Sequence, residues 1–150
     1  MLRHKGTAVI VGAMSGRSLI YARRLAARGY DLILVAKQRE RLQTVARRIT
    51  DSSGRCVEVL AADLRQAEAL AQIESLLMCD ASIVLLVNHA ETRDACLCRA
   101  AQRLGEALAT GFAARQAGAV AHITGKAQYP LDDALWTERL MELENAGAMH

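Results

Sequence analysis

The feature that most restricts how this chain folds is a glycine turn between an apolar run and a helical pattern. Residues 7–12 form a short β-branched, apolar run that ends in Gly12, and Gly16 follows four residues later. Apolar residues then recur at helical spacing, with arginines on the opposite face. Gly12 allows a sharp turn, and Gly16 lets backbone amides approach a ligand because it has no Cβ. A strand, a glycine turn and a helix start in this order are typical of a phosphate-binding helix N-terminus.

The rest of the chain repeats this alternation of apolar runs and helical patterns. Short connections between them favour a parallel sheet with right-handed crossovers. We therefore predict an α/β fold for residues 1–150, a single Rossmann-like, doubly wound domain with strand order 3-2-1-4-5 and helices on both faces. Its ligand crevice is expected at the carboxyl ends of strands 1 and 4. The later strands are predicted at 31–36, 56–61, 82–87 and 119–124, and the later helices at 39–53, 63–77, 92–117 and 132–145. Gly29, just before the second strand, is predicted to end the first helix.

The composition gives a nucleic-acid-binding role little support. Apolar residues make up 52% of the chain but aromatic residues only 3%, so the core is built from Ala, Leu, Val and Ile. The net charge is +3, and the arginines are spread along helical faces rather than clustered. Proteins that bind single strands usually stack the bases on aromatic side chains, and these are nearly absent here.

Other sequence signals favour a cytoplasmic protein without a metal site. No apolar stretch approaches the roughly 20 residues that a membrane span needs. The basic residues 1–5 are not followed by an apolar run of the signal-peptide type. The four cysteines are not spaced like metal ligands or a disulfide framework, which fits reduced thiols in the cytoplasm. They are Cys56, Cys79, Cys96 and Cys98.

The residues after the second strand indicate which nucleotide the crevice binds. A P-loop would need a lysine where this chain has Arg17, and its loop is one residue longer. Dinucleotide-binding folds normally carry a carboxylate at the tip of strand 2, which binds the ribose 2′-hydroxyl. That tip carries Lys37 and Arg39 instead, and these cations favour a 2′-phosphate, with Arg17 adding to the charge. The alternative is that all of them are solvated surface cations.

Two further motifs follow the third and fourth strands. Asp63-Leu64 comes after strand 3, where the aspartate fits a helix N-cap, a ligand contact or both. Residues 88–91 read Asn-His-Ala-Glu after strand 4, and the asparagine is either a site residue or a tie between strands. With the glycine turn and Lys37, these motifs stand in order at the carboxyl ends of predicted strands. From Thr7 to about residue 90 the chain thus resembles the short-chain dehydrogenase/reductase family.

The resemblance implies a nicotinamide cofactor, and NADP(H) rather than NAD(H). The family's loop reads Thr-Gly-x-x-x-Gly-x-Gly, and this chain keeps two of its three glycines, with Ser18 near the place of the third. NADP-preferring members carry a basic residue at the place of Lys37, and the family's Asp-plus-apolar pair contacts the adenine. The cofactor-binding residues implied are Gly12, Met14, Ser15, Gly16, Arg17, Lys37, Asp63, Leu64, Asn88 and Ala90.

The family's catalytic residues are missing from their expected positions. In members of the family, strand 5 ends in a serine, and Tyr-x-x-x-Lys follows about a dozen residues later. Here strand 5 ends in Thr124, and Gly125 stands at the place of the serine. The tyrosine would fall near Thr137 or Glu138 and the lysine near Met141. The tyrosine is a general acid whose pKa the lysine lowers, and these residues cannot replace either one.

Other departures affect the nicotinamide and substrate side. Glu91 replaces the glycine of the family's Asn-Asn-Ala-Gly motif and brings a carboxylate close to the expected nicotinamide ribose. The family's proton-relaying asparagine aligns near Cys96 or Leu97, where no amide is present. The family's strands 6 and 7 and its substrate-covering loop would come after the last residue, so we expect no substrate side.

We therefore predict an NADP(H)-binding protein of this family that lacks the usual catalytic activity. One alternative is an active NADP-dependent oxidoreductase in which Tyr129, Lys126 or Glu138, or a partner chain, supplies the acid. Another alternative is a structural or dimerising module with an empty crevice. The Ala-rich helix at 92–117 is similar to helices that pair between subunits in the family, which implies a homodimer. The alternative is a monomer in which this helix only covers the sheet.

Overall fold

The chain alternates regularly between strands and helices. The computed structural model describes residues 6–12, 16–90, 95–115 and 119–124, so the helix predicted at 132–145 lies outside the described residues. The strands are β1 (Thr7–Val11), β2 (Asp31–Ala36), β3 (Val57–Ala61), β4 (Ile83–Ala90) and β5 (Ala119–Thr124), and the helices are α1 (Gly16–Ala27), α2 (Arg39–Ser53), α3 (Ala67–Met78) and α4 (Ala95–Arg115).

All five strands join one parallel sheet in the order β3-β2-β1-β4-β5. This confirms the predicted doubly wound α/β fold. The central strand β1 pairs with β2 on one side and with β4 on the other, and its last residue, Val11, lies level with Val35 and Asn88. Because the strands are parallel, their carboxyl ends all meet at one edge of the sheet, which is called here the carboxyl edge.

Within the described residues, two helices cover each face of the sheet. Alternate residues of β1 point to opposite faces, as the period of a strand requires. Ala8 and Ile10 pack with α1 and α2, whereas Val9 and Val11 pack with α3 and α4. Nearly all of the buried side chains are aliphatic, which agrees with the low aromatic content. On the α3/α4 side, the buried helix residues are Leu70, Ile73, Leu77, Ala100, Leu104, Leu108 and Phe112. Within the described part of the chain, no helix is long and apolar enough to span a membrane.

Strand β4 is longer than predicted. The sequence predicts it at 82–87, but the structure has it at Ile83–Ala90. Asn88 and His89 look like the end of a strand because they are polar, yet the ladder with β5 continues until Ala90 pairs with Thr124. The motif at 88–91 therefore begins inside the strand rather than after it.

Helix α3 begins later than predicted. The sequence predicts a start at Asp63, but the helix begins at Ala67, and the side chain of its N-cap residue Gln66 makes no capping hydrogen bond. Residues 63–66 instead form a turn in which the Gln66 amide donates to the Asp63 carbonyl at 3.0 Å. The proposal that Asp63 caps this helix is therefore wrong, because its carboxylate binds within the turn.

Helix α1 ends in a motif that requires glycine. The Gly29 amide donates to the Ala26 carbonyl, and the Tyr30 amide donates to the Leu25 carbonyl, each at 3.1 Å. These two bonds form a Schellman motif, in which the residue after the helix adopts a positive φ. Gly29 has φ +105°, and Tyr30 packs beside Leu25 in the buried cluster under α1. The predicted helix stop at Gly29 is confirmed.

Replacing Gly29 with alanine should destabilise the fold. A Cβ at a positive φ costs about 1–2 kcal/mol, so we expect Gly29→Ala to lower the free energy of unfolding in urea by that amount. Gly111→Ala is the matched control, because a Cβ added there, in the middle of α4, has no neighbour within 4 Å. Alanine favours the helix, so the control should be neutral or stabilising by up to about 1 kcal/mol. Equal destabilisation by both substitutions would contradict this account of the α1 terminus.

Candidate functional site

Those predicted site residues that the structure describes lie at or near the carboxyl edge of the sheet. Helices α1 and α2 lie on one face of the sheet and α3 and α4 on the other, so the chain leaves β1 and β4 in opposite directions. In open parallel sheets, this reversal opens a crevice at the carboxyl ends of the two strands, and ligands bind there. The turns after β1, β2 and β3 all reach this edge.

The two described ends of the turn after β1 are Gly12 and the start of α1. Gly12 has φ +80°, and its amide donates to the Val35 carbonyl at 2.9 Å, which extends the β1–β2 ladder by one residue. Helix α1 then begins at Gly16, with Arg17 in its first turn. No acidic residue occupies that first turn, so no carboxylate there opposes the positive end of the helix dipole. Met14 and Ser15, the other predicted residues of the loop, lie outside the described residues.

Three charged side chains meet where β2 and β3 end. The ladder between these strands continues past β3, because the Ala62 amide donates to the Ala36 carbonyl at 2.9 Å. This pairing brings the two following side chains together, with Lys37 Nζ 3.9 Å from Asp63 Oδ2. Asp63 is held more closely by Arg65, and we call Lys37, Asp63 and Arg65 the charge cluster.

Arg65 binds the Asp63 carboxylate through three donors. The Arg65 backbone amide and Nε donate to Oδ1 at 3.1 and 3.0 Å, and Nη2 donates to Oδ2 at 3.3 Å. This forked arrangement matches the planar guanidinium to both oxygens of the carboxylate. The backbone bond from residue i+2 is the usual contact of a turn that starts with aspartate. Asp63 is therefore fixed in place before α3 begins.

These contacts lower the pKa of Asp63 below its ordinary value. The main cause is the hydrogen bond from the Arg65 side chain, followed by the bond from the Arg65 amide, and the charge of Lys37 acts in the same direction. Asp63 is thus a carboxylate throughout the neutral range. The pKa of Asp63 is lower in the folded state than in the unfolded state, so its ionised form stabilises the fold at pH values above the unfolded-state pKa. This stabilisation is lost as the pH falls through the folded-state pKa.

The tip of β2 differs from that of an NAD-binding site. Residues 36–39 read Ala-Lys-Gln-Arg, with no carboxylate, and the Lys37 side chain is 65% exposed. Arg39 begins α2 and is exposed. The only carboxylate paired with Lys37 in the described part of the chain is that of Asp63, which comes from the neighbouring strand.

The remaining predicted residues divide between the core and the β4 end. Leu64 is 7% exposed and packs in the core on the α3/α4 side of the sheet. The backbone of Asn88 lies level with Val11, beside the start of the glycine turn, and Ala90 is the last residue of β4. Their contacts with a ligand remain predictions, as does the alternative that Asn88 ties two strands together.

Sequence reasoning missed Arg65. The available signal was its spacing from Asp63, since an aspartate that starts a turn often binds the backbone two residues later. The reach of the guanidinium back to the same carboxylate depends on the turn conformation, which the sequence pattern did not predict.

Among the described residues, no group of three or more His, Cys, Asp or Glu side chains is arranged to hold a metal ion. Cys56, Cys79 and Cys96 are exposed, and the Arg99 guanidinium donates to Cys96 Sγ at 3.6 Å.

Comparison with known proteins agrees with the observed fold. The family model of the short chain dehydrogenases matches residues 6–94, which run from the start of β1 to just past the end of β4. The short-chain dehydrogenase from Sphingobium yanoikuyae, solved in complex with NADPH, superposes with a TM-score of 0.73 at 32% identity. That superposition covers 95% of this chain and 67% of the neighbour.

Curated relatives match about half of the chain. It is 34% identical over 82 residues to 17-beta-hydroxysteroid dehydrogenase type 3 of Mus musculus, covering 55% of this chain and 27% of the relative. It is 42% identical over 82 residues to inactive hydroxysteroid dehydrogenase-like protein 1 of Rattus norvegicus, covering 54% and 24%. The alignments thus span about a quarter of these relatives' length. From the family match and the shared fold, we conclude that the chain belongs to the short-chain dehydrogenase/reductase family.

Proposed function

We propose that this protein binds NADP(H) at the carboxyl edge of its sheet and lacks the usual catalytic activity of its family. The observation that carries the cofactor proposal is the tip of β2, which has an exposed lysine and no carboxylate. A lysine there attracts a 2′-phosphate, whereas a carboxylate would bind a free ribose hydroxyl. The similarity to an NADPH-bound dehydrogenase from Sphingobium yanoikuyae supports the same cofactor.

Different residues at this edge would bind successive parts of the dinucleotide. The Gly12 turn and the start of α1 at Gly16 would hold the diphosphate with backbone amides, with Met14, Ser15 and Arg17 beside them. Lys37 would bind the 2′-phosphate. The adenine would lie near Asp63 and Leu64, and the nicotinamide half would lie along Asn88 and Ala90. The bound cofactor would supply a hydride, and the chain's own part would be to bind and orient it.

The proposal of lost activity rests on the residues around the end of β5. The strand ends at Thr124, and the position at which the family carries its serine is Gly125 in this chain. Glu138 and Met141 stand near the places of the tyrosine and the lysine, and neither supplies a general acid of lowered pKa beside a cation. These three positions lie outside the described residues. The similarity to a relative named as inactive supports the same conclusion.

Titration with NADPH tests the cofactor proposal. We expect saturable binding, seen as a change in cofactor fluorescence, with NADPH bound more tightly than NADH. Lys37→Gln should weaken NADPH binding roughly 10- to 100-fold, the loss typical of a hydrogen bond to a charged group, and change NADH binding by less than about twofold. Arg47→Gln is the control, because it removes one exposed positive charge from further along α2. An absence of saturable binding for both cofactors would sink the proposal.

A panel of aldehydes and ketones tests the proposed loss of activity. We expect no carbonyl-dependent oxidation of NADPH above the protein-free rate, because the usual acid is missing. Turnover that disappears in Tyr129→Phe or Lys126→Ala would establish an enzyme with a different acid. Turnover that survives both substitutions would still refute the inactive protein, and Glu138→Gln would then be the next variant to assay.

We also propose that the protein forms a homodimer through α4. The outward side of its second half carries small residues that allow two helices to approach closely, among them Ala109, Ala113 and Ala114. Ala113→Arg should convert a dimer to a monomer in sedimentation-velocity measurements. Ala27→Arg adds the same side chain at an exposed position of α1 and should leave the dimer intact. A native protein that sediments as a monomer would contradict this proposal.

A further inference from the structure

The charge cluster contains a carboxylate beside the lysine proposed to bind a 2′-phosphate. A bare carboxylate there would oppose this binding in two ways. It would repel a phosphate that carries close to two negative charges, and it would compete for Lys37. Lys37 Nζ lies 3.9 Å from Asp63 Oδ2, which is close enough for Asp63 to compete with a phosphate for the lysine.

Arg65 reduces both the repulsion of a phosphate by Asp63 and the competition of Asp63 for Lys37. It occupies Asp63 Oδ1 with two donors and Oδ2 with a third, so the carboxylate already has an opposite charge at hydrogen-bond distance. Lys37, by contrast, has a long contact and a side chain that is 65% exposed. An exposed ion pair of this kind contributes little to stability, so Lys37 can leave Asp63 at little cost. Two cations and one anion also leave the cluster with a net positive charge.

We infer that Arg65 is a positioning residue that sets the preference of this site for a 2′-phosphorylated dinucleotide, by holding and neutralising the Asp63 carboxylate so that Lys37 is available to the phosphate. This inference rests on the proposed NADP(H) binding and adds the residue that determines its specificity. Arg65 acts through Asp63 and Lys37 and need not touch the cofactor.

The loss of Arg65 should change specificity as well as affinity. Without the guanidinium, Lys37 and Asp63 form a neutral pair that no longer attracts a phosphate. Asp63, paired only with Lys37, would then lie beside the tip of β2, where dinucleotide-binding folds place the carboxylate that binds the ribose 2′-hydroxyl. NADPH binding should weaken and NADH binding should improve or stay constant. A purely structural role in the turn would weaken both to the same degree.

Calorimetric titration of NADPH, NADH and adenosine 2′,5′-bisphosphate tests the inference on the full chain. In Arg65→Gln, we expect the ratio of NADPH to NADH affinity to fall about tenfold, the effect of roughly 1.4 kcal/mol. Binding of adenosine 2′,5′-bisphosphate to this variant should weaken in parallel with NADPH binding. Arg65→Lys keeps the positive charge but not the planar guanidinium. Its ratio of NADPH to NADH affinity should therefore lie between those of the native protein and Arg65→Gln. Arg47→Gln is again the control, because it removes an exposed charge from α2 and should leave the ratio unchanged.

A double substitution separates neutralisation of Asp63 from direct phosphate binding by Arg65. In an Asp63→Asn background, Arg65→Gln should lower the ratio of NADPH affinity to NADH affinity by less than about twofold, because no carboxylate remains to neutralise. A cost as large as in the native background would overturn the inference. In Arg65→Gln alone, the pKa of Asp63, measured by carbon NMR, should rise toward its ordinary value.

The outcomes of these experiments distinguish the inferred role of Arg65 from the proposed binding of NADP(H). A native protein that binds neither NADPH nor NADH would overturn both. A native protein that prefers NADPH, with an unchanged ratio in Arg65→Gln, would leave the proposed function standing and refute the role of Arg65. An equal loss of both cofactors in that variant would refute it as well, since it would indicate only a damaged turn.

Discussion

The pairing of β1 on both sides is the constraint on which the rest of the structure depends. Its residues are buried on both faces of the sheet, and it is bonded to β2 and β4 at once. A strand in this position is expected to be almost entirely apolar. Residues 8–11 are apolar, and the buried hydroxyl of Thr7 is hydrogen-bonded to Ser82 Oγ at 3.1 Å. Because the chain enters the sheet at its centre, α1 and α4 leave toward opposite faces. The crevice between them follows from that topology, and the Gly12 turn lies beside it.

The electrostatics of the site depend on the same ladder. Pairing of β2 with β3 continues to the Ala62 amide, which brings the ends of these two strands side by side. Lys37 and Asp63 come from different strands and meet only through this pairing. The turn after β3 adds Arg65, whose fork encloses the Asp63 carboxylate. A short segment of backbone thus determines which charges a ligand meets at this edge.

Much of the fold could be predicted from the sequence, because alternation of strands and helices is encoded locally. The apolar runs at 31–36 and 119–124 and the helix stop at Gly29 depend on nearby residues, and the structure has them as expected. The end of β4 was missed because Asn88 and His89 are polar, although pairing with β5 keeps them in the strand.

The sequence predicted the places of the site residues in the fold better than their contacts. Lys37 and Asp63 could be placed at one edge because each follows a recognisable strand, and parallel strands end at one edge. Their contacts with a ligand stay predictions. The start of α3 was misplaced because Asp63 is a good capping residue, yet its carboxylate binds Arg65 within a turn. That contact depends on side-chain geometry rather than on spacing, and for this reason Arg65 was not foreseen.

The most direct test of the account is a crystal structure of the protein grown with NADPH. The account predicts the 2′-phosphate within hydrogen-bond distance of Lys37 Nζ, the diphosphate at the Gly12 turn, and Arg65 still bound to Asp63. A 2′-phosphate held by Arg65 with Asp63 released would contradict the role assigned to that arginine. A crevice that stays closed to the cofactor at saturating NADPH would contradict the account as a whole.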